Sequence, residues 1–105
     1  MESTASFRVM LRLRIRPGME LQFERAWLAA DSDIAGEPAN RGRWLLRDAQ
    51  EDGVYFIMSD WADEEAFRAF ERSPVHLSHR IKLHPYRLDG SFATMRVIHR
   101  RGTGP

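Results

Sequence analysis

The stretch from Tyr55 to Arg80, YFIMSDWADEEAFRAFERSPVHLSHR, constrains the fold more than any other part of the chain. It opens with an almost wholly apolar segment, which is typical of a central strand buried on both faces. Asp63 follows, and its carboxylate can accept hydrogen bonds from the free N–H groups of a helix running to about Arg72. Ser73 and Pro74 then supply the cap and the first residue of a second helix, because proline has no N–H to leave unpaired there.

The rest of the chain adds three strands and one longer helix. Phe7 to Arg16 alternates apolar with mostly basic residues, the period of two that indicates a strand. Apolar residues recur at helical spacing from Met19 to Ile34, and Asp52-Gly53 is a hairpin turn signal. We therefore predict strands at about 7–16, 43–48, 54–61 and 92–100, and helices at about 19–34, 63–72 and 74–83. Residues 86–90 are interpreted as a connection.

The order of these elements is strand, helix, strand, strand, helix, strand. This is the α+β, ferredoxin-like βαββαβ arrangement, with a four-stranded antiparallel sheet. Right-handed crossovers place the helices on one face of that sheet. We expect a single domain over residues 7–100, a flexible N-terminal tail at 1–6 and a flexible C-terminal tail at 101–105.

Composition excludes several classes of function. Sixteen basic and fifteen acidic residues give a formal charge of +1, so no basic excess predicts nucleic-acid binding. The chain has no cysteine, hence no disulfide or thiolate site. His76 and His79 alone are too few to hold a metal ion. With no signal-peptide pattern and no apolar run long enough to span a bilayer, we expect a soluble cytoplasmic protein that has no membrane partner.

The two faces of the predicted sheet differ in what can cover them. One face carries Leu11, Leu13, Tyr55, Ile57, Ser59 and Trp61, and we assign it to the helices. The other carries Met10, Trp44, Leu46, Val54, Phe56 and Met58, together with Arg8, Arg12, Arg14, Asp48 and Asp60. No element remains for this second face, and an exposed apolar patch of that size predicts a symmetric homodimer, sheet against sheet. The arginines would then pair with Asp48 or Asp60 of either chain; an anion-binding surface is the alternative.

Three motifs stand out: Leu45-Leu46-Arg47-Asp48 before the hairpin, Ser59-Asp60-Trp61-Ala62-Asp63-Glu64-Glu65-Ala66-Phe67, and then Phe70 and Ser73-Pro74. Together they resemble the antibiotic biosynthesis monooxygenase family. The likeness covers residues 7–100. It implies a dimeric α+β barrel. For some members it implies oxidation of aromatic polyketides, anthrone to quinone, with O₂ and without metal, flavin or other cofactor.

The family's functional residues transfer only in part. In the cofactor-independent anthrone oxygenases an Asn lies four residues before the strand-end Trp, a Tyr six residues after it, and an Arg in the short second helix. Trp61 matches the Trp and, with one gap, Arg80 matches the Arg. Ile57 stands at the Asn position and Phe67 at the Tyr position. The haem-degrading branch fits less well, because its Asn, Trp and haem-ligating His positions hold Leu11, Phe70 and Arg80.

We expect a substrate pocket between the sheet and the helices. Its predicted walls are Leu11, Leu13, Trp27, Tyr55, Ile57, Phe67, Phe70 and Met95, with Ser59 as a polar member. His76 or His79 is the candidate general base, and Arg80 or the indole N–H of Trp61 the candidate donor to a developing oxyanion. His84 is a further polar candidate. The alternative is that the apolar residues fill an ordinary core and the histidines are surface residues.

The leading hypothesis is a cofactor-independent monooxygenase that uses O₂ on a small aromatic, anthrone- or phenol-like substrate. A polyketide cyclase, or an accessory or binding protein without turnover on the same scaffold, are the alternatives.

Overall fold

A computed structural model describes residues 6–102 of the chain. The elements in chain order are β1 (Phe7–Ile15), α1 (Glu20–Asp31), β2 (Asn40–Arg47), β3 (Val54–Trp61), α2 (Glu64–Glu71), α3 (Pro74–Leu83) and β4 (Arg87–Arg96), with a 3-10 turn at His84–Tyr86. The strands form one sheet in the order β2-β3-β1-β4, and every neighbouring pair is antiparallel. This confirms the predicted ferredoxin-like α+β fold.

The short helices begin where the sequence places their caps. The Asp63 carboxylate accepts a 2.8 Å hydrogen bond from the backbone N–H of Ala66 at the start of α2. The Ser73 hydroxyl oxygen accepts one of 3.2 Å from the backbone N–H of His76, and Pro74 is the first residue of α3. Both caps satisfy N–H groups that a helix leaves without partners in its first turn.

Helix α1 ends at Asp31, three residues earlier than predicted. From there the chain tightens into turns, in which the backbone N–H of Asp33 donates to the carbonyl oxygen of Ala30 at 3.0 Å. Ser32 also turns its hydroxyl back to the carbonyl oxygen of Ala29 at 2.9 Å. Such short-range bonds compete with continued helix. Ile34 is still buried, so the periodicity identified an inward-facing residue beyond the helix end.

Strand β4 spans Arg87–Arg96. The predicted connection at 86–90 was therefore wrong, and the strand predicted at 92–100 begins and ends earlier in the chain. Gly90 lies inside the strand, opposite Leu13 of β1. A Cβ at this position would lie 2.8 Å from Cδ2 of Leu13 and 3.2 Å from the carbonyl oxygen of Arg12. The glycine therefore allows close approach of the two strands, and is not a turn residue.

The register of β4 also corrects the placement of Met95. Directly opposed residues in an antiparallel pair project to the same face of the sheet. Met95 pairs with Arg8, which lies on the face away from the helices. Met95 is therefore not a wall of a pocket under the helices.

The core under the helices is divided into two clusters at opposite ends of the sheet. The first contains Phe7, Val9, Ile34, Trp61, Phe67 and Phe70. The second contains Leu13, Ile15, Phe23, Trp27, Tyr55 and Leu83. Leu11 and Ile57 are paired across the strands between the two clusters and remain only half-buried. The middle of the helix-facing side is thus less densely filled than its two ends.

The opposite face of the sheet carries the predicted residues but is less exposed than expected. Met58 and Val54 are buried within the single chain. The arginine row and Trp44 lie on this face, and the guanidinium carbon of Arg8 sits 5.9 Å from the centre of the Trp44 ring. Long arginine stems cover apolar surface while their charged ends stay accessible, and this accounts for the smaller patch.

The arginine row pairs partly as predicted. Arg8 donates two hydrogen bonds, of 2.7 and 2.8 Å, to the carboxylate of the buried Asp60. Arg14 instead donates to Glu51 at 2.6 Å, and Arg12 lies 3.6 Å from the same carboxylate. The Asp48 carboxylate is occupied by backbone N–H groups of the hairpin turn, so it does not take the expected arginine.

The boundaries of the described chain bear on the expected tails. Ser6, which we assigned to the N-terminal tail, is buried, and its carbonyl oxygen accepts a 3.0 Å hydrogen bond from the backbone N–H of Val97. Residues 1–5 and 103–105 lie outside the described part of the chain. Within 6–102, no helix is long and apolar enough to cross a membrane.

Candidate active site

A cavity of about 490 Å³ lies between the two core clusters, under the helices. Its floor is the half-buried middle of β1 and β3, where Leu11, Ile57 and Ser59 project toward the helices. Trp61 stands at one end and Trp27 at the other. A space of this size, bounded mostly by apolar and aromatic side chains with a few polar groups, is the usual form of a small-molecule site.

The Trp61 end of the cavity is built from stacked aromatic rings. Trp61 is 4.8 Å from Phe70, centre to centre, and 5.7 Å from Phe67 in an edge-on arrangement. His76 meets Phe70 edge-on at 5.3 Å. Aromatic pairs at these separations hold one another in place beyond the effect of burial alone. This end of the cavity is a fixed surface against which a planar ligand can stack.

The indole N–H of Trp61 acts on the cavity indirectly, through a hydrogen bond to Ser59. Its indole N–H donates a 3.0 Å hydrogen bond to the hydroxyl oxygen of Ser59, two residues earlier on the same face of β3. Because that oxygen is accepting, the Ser59 hydroxyl hydrogen is free to be donated elsewhere. Ser59 lines the cavity, so its hydroxyl is the group here that can donate to a ligand oxygen.

Two histidines of α3 border the cavity, and both are held in the neutral form. Burial, and then the charge of Arg80, lower the pKa of His76 below its ordinary value. Burial, and then His76, lower the pKa of His79, outweighing the opposite effect of Asp31 and other acidic groups. At neutral pH both rings therefore have one unprotonated nitrogen, the form that a general base needs.

Three buried side-chain nitrogens of cavity-lining residues have no hydrogen-bond partner among the described residues. They are Nε1 of Trp27, Nδ1 of His76 and Nε2 of His79. Leaving a buried polar atom unpaired costs about 1–3 kcal/mol. All three atoms belong to residues that border the same apolar space, so unmet hydrogen-bonding capacity is concentrated around the cavity.

The wall between α1 and β2 contains a fixed ion pair. Arg43 donates from Nε to the Asp31 carboxylate at 2.5 Å and is also hydrogen-bonded to the side-chain oxygen of Asn40. Arg43 and Asp31 both line the cavity. Because these groups satisfy one another, this wall is polar but electrically balanced.

Most of the predicted site residues lie around the cavity. Those that line it are Leu11, Leu13, Trp27, Ile57, Ser59, Trp61, Phe67, Phe70, His76, His79, Arg80 and His84. His79 is buried, so the surface alternative does not hold for it, while Arg80 is exposed. The structure brings these residues together around one space.

Tyr55 and Met95 do not line the cavity. Tyr55 projects toward the helices but packs against Phe23 with tilted rings, 4.9 Å between ring centres, and its hydroxyl is hydrogen-bonded to Glu24. Burial, and then Glu24, raise the pKa of Tyr55 to about 12. It is a core residue with an occupied hydroxyl, and Met95 lies on the other face of the sheet.

The sequence interpretation missed other lining residues. Among them are Asp31 and Arg43, whose pairing depends on how α1 crosses β2, and Arg87, which had been placed in a connection. Leu77 and Ile81 also line the cavity and are exposed, so they lie at its mouth. Their i, i+4 spacing on α3 shows from the sequence that they are neighbours on the helix surface. The spacing does not show whether that surface borders a cavity.

The described residues contain no cluster of three or more histidine, cysteine, aspartate or glutamate side chains that could hold a metal ion.

Fold and cavity together define a ferredoxin-like α+β protein with an internal, aromatic-walled pocket. The model of the family described as antibiotic biosynthesis monooxygenase matches residues 6–80, and the chain belongs to this family. No curated protein matches the chain.

Solved structures of similar fold include proteins from several bacteria. A variant of SnoaB, a cofactor-independent oxygenase from Streptomyces nogalater, is 23% identical, with a TM-score of 0.77 over 95% of this chain and 97% of that one. A Bordetella bronchiseptica protein assigned to the antibiotic biosynthesis monooxygenases is 15% identical, with a TM-score of 0.82 over 91% and 100%. PA3566 from Pseudomonas aeruginosa is 12% identical, with a TM-score of 0.77 over 94% and 100%. At these identities the likeness shows the fold.

Proposed function

We propose that this chain is a cofactor-independent monooxygenase that uses O₂ to convert the reactive methylene of an anthrone-like aromatic substrate to a quinone carbonyl. One observation carries the proposal: neutral histidines and an indole N–H, all with unpaired buried nitrogens, surround an aromatic-walled cavity. This combines a base, a hydrogen-bond donor and a stacking surface. The SnoaB likeness, to a protein described as a cofactor-independent oxygenase, supports the same reaction class.

The reaction needs a base but no metal or flavin, because the substrate supplies the electrons. An imidazole nitrogen, of His79 or His76, takes a proton from the methylene and leaves a resonance-stabilised anion. The anion transfers one electron to O₂, and the resulting radical and superoxide combine as a peroxide at that carbon. The imidazolium returns its proton to the peroxide, and loss of water then leaves the carbonyl, so that CH₂ and O₂ become C=O and H₂O.

The developing oxyanion of the substrate needs donors in a water-poor site. The Ser59 hydroxyl, oriented by Trp61, and Arg80 at the mouth are positioned around the same cavity. Trp27, which the sequence suggested only as an apolar wall, adds a further N–H. The role of Trp61 is then to hold Ser59 and to stack against the substrate.

Oxygen uptake with a model anthrone tests the proposal, after subtraction of the rate without protein. His79→Gln is expected to lower the catalysed rate about 10²- to 10⁴-fold, the usual contribution of a general base. His99→Gln is the matched control, because His99 is exposed and does not line the cavity. Trp61→Phe and Arg80→Ala should also reduce uptake. Absence of protein-dependent uptake with wild-type protein would refute the oxygenase assignment.

A second candidate function is suggested by Ile57 and Phe67. Both line the cavity, and both put apolar groups where the anthrone oxygenases resembled here carry Asn and Tyr. A cyclase for polyketide intermediates, or an accessory protein that binds them without turnover, needs the same cavity and fewer polar groups. Tight binding of an aromatic ligand without oxygen uptake would favour this candidate.

We also propose that the chain acts as a homodimer. Strand β4 is one of the two edge strands, and its large apolar residues Leu88, Phe92 and Met95 are exposed at 48%, 54% and 39%. Phe92 and Met95 project to opposite faces, so the sheet face and this edge both lack cover within the described chain. Such exposure on an edge strand is unusual for a monomer. Light scattering after gel filtration should give twice the chain mass, and Met95→Asp, on the sheet face away from the helices, should shift the protein toward monomer.

A further inference from the structure

Arg87 differs from the other half-buried arginines. In residues 6–102 there are six arginines of intermediate burial, and five of them are ion-paired. The paired ones are Arg8, Arg12, Arg14, Arg43 and Arg68. No carboxylate of the described chain lies within ion-pair distance of Arg87. A partly desolvated guanidinium is costly unless an anion compensates it.

The backbone places Arg87 on the cavity side of the sheet. It is the first residue of β4 and pairs with Ile15, which is buried under the helices. Arg87 lines the cavity. Asp89, two residues later, pairs instead with Arg14 on the opposite face, so the acid nearest in sequence is turned away.

Gly90 leaves room for the guanidinium. A Cβ at Gly90 would lie 2.7 Å from Nη2 of Arg87, closer than two such atoms can approach. The same Cβ would lie 2.8 Å from Cδ2 of Leu13, which also lines the cavity. The guanidinium therefore lies over the bare backbone of Gly90, beside Leu13.

The distance along the sheet between Ser59, at the proposed reactive end of the cavity, and Arg87 suits a substituted polycyclic ligand. Gly90 is opposite Leu13, and Ser59 is opposite Val9, four residues away along β1. Four strand residues span about 13 Å. A tricyclic aromatic about 10 Å long that stacks near Ser59 would place a substituent of its far ring at Arg87.

We propose that Arg87 is a specificity-determining residue that binds a carboxylate at the far end of the substrate, so that the substrate is a polycyclic aromatic acid. The inference rests on the cavity being the substrate site proposed above. A guanidinium matches a carboxylate with two parallel hydrogen bonds. Three arginines line the cavity, but Arg43 is paired with Asp31 and Arg80 lies at the exposed mouth. The single guanidinium of Arg87 fits one negative charge better than a phosphate, which carries more charge and needs more donors.

Isothermal titration with two matched probes tests this inference, using anthraquinone-2-carboxylate and anthraquinone-2-carboxamide. The probes share size and aromatic surface and differ in charge. Wild-type protein should bind the carboxylate about 10- to 100-fold more tightly, the usual effect of charge-assisted hydrogen bonds. Arg87→Gln should bring the two affinities within about twofold of each other by weakening only the carboxylate. Arg87→Lys should keep part of the preference for the carboxylate, because lysine retains the positive charge but cannot form two parallel hydrogen bonds.

Arg41→Gln is the matched control, because Arg41 is exposed and lies outside the cavity. Equal affinity of wild-type protein for both probes would overturn the role of Arg87 and leave the proposed function standing. A preference that survives Arg87→Gln but disappears in Arg80→Gln would also overturn it, since the carboxylate would then sit at the mouth. If neither probe binds, the substrate site itself is wrong, and this inference falls with it.

Discussion

Replacing Asp60 with asparagine removes the one negative charge from a buried cluster on the face of the sheet opposite the cavity. Asp60 is 1% exposed and accepts three hydrogen bonds from two arginines. Arg8 contributes bonds of 2.7 and 2.8 Å, and Arg100 one of 2.5 Å. Asparagine keeps the size of the side chain but can offer only one acceptor oxygen. The guanidinium of Arg8 is then left without an anion.

The expected loss follows from the exposure of each partner. Removing one member of a buried pair costs about 3–5 kcal/mol. The side chain of Arg100 is 41% exposed, so its share is screened by solvent and is about 0–1 kcal/mol. The side chain of Arg8 is 20% exposed and carries most of the effect. Because asparagine retains one acceptor, we expect Asp60→Asn to lower the free energy of unfolding by about 3 kcal/mol.

Urea denaturation at pH 7 and constant protein concentration measures this change, with unchanged dependence on urea as the check of two-state unfolding. Arg8→Gln combined with Asp60→Asn in a double-mutant cycle should give a coupling energy of about 1.5–3 kcal/mol. Lys82→Gln removes an exposed ion pair with Asp33 and should change stability by no more than about 0.5 kcal/mol. A loss below about 1 kcal/mol for Asp60→Asn would refute the reasoning.

The same cluster predicts a pH dependence. Burial alone would raise the pKa of Asp60, but the hydrogen bonds from Arg8 and Arg100 outweigh it, and the pKa lies below its ordinary value. The carboxyl group then binds a proton more readily in the unfolded chain, whose pKa is about 3.9. Its contribution is present above that pH and is lost as the pH falls through the folded pKa. The stability difference between wild type and Asp60→Asn should therefore shrink below about pH 4.

Three further variants can be tested for their effect on stability. His79→Leu should leave the free energy of unfolding unchanged or raise it by about 1 kcal/mol, because it removes a buried unpaired nitrogen, and it should abolish oxygen uptake. Since burial lowers the pKa of His79, wild-type stability should fall as the pH drops from about 6.5 toward the folded pKa, and thermal melts of His79→Leu should show less of this loss. Gly42→Ala would place a Cβ 2.7 Å from the Trp44 ring, and should cost about 1–3 kcal/mol in urea denaturation. Asp63→Ala removes the acceptor for the backbone N–H of Ala66, and should cost about 1 kcal/mol by the same measurement; no change would mean that solvent replaces the cap.

Local signals predicted the parts of the fold that depend on neighbouring residues. The caps Asp63 and Ser73, the alternation in β1 and the turn at Asp52-Gly53 all act within a few residues, and each produced the expected element. The start of β4 was missed because residues 86–90, which end at Gly90, were interpreted as a connection. Only the closeness of Gly90 to Leu13, a partner more than seventy residues away, shows that it belongs to the strand.

The candidate site was predictable to a similar extent. Alternation in β3 correctly placed Ile57, Ser59 and Trp61 beside one another on the helix-facing side. It could not show that the Trp61 N–H is directed to Ser59, because this depends on side-chain rotamers. Nor could it identify Arg87, whose position follows from the register of β4. Residues whose place depends on pairing with a distant strand were the ones the sequence left unresolved.

A core divided by a space has a practical consequence for finding the natural compound. Any molecule that fills the cavity contacts both apolar clusters and binds only the folded state, not the unfolded chain. Such a ligand must therefore raise the melting temperature of the protein. At about 100 times its dissociation constant a ligand adds about 2.7 kcal/mol. For a chain of this size that corresponds to a rise of about 10 °C or more in melting temperature. Panels of aromatic metabolites can thus be ranked by heat resistance before their chemistry is known.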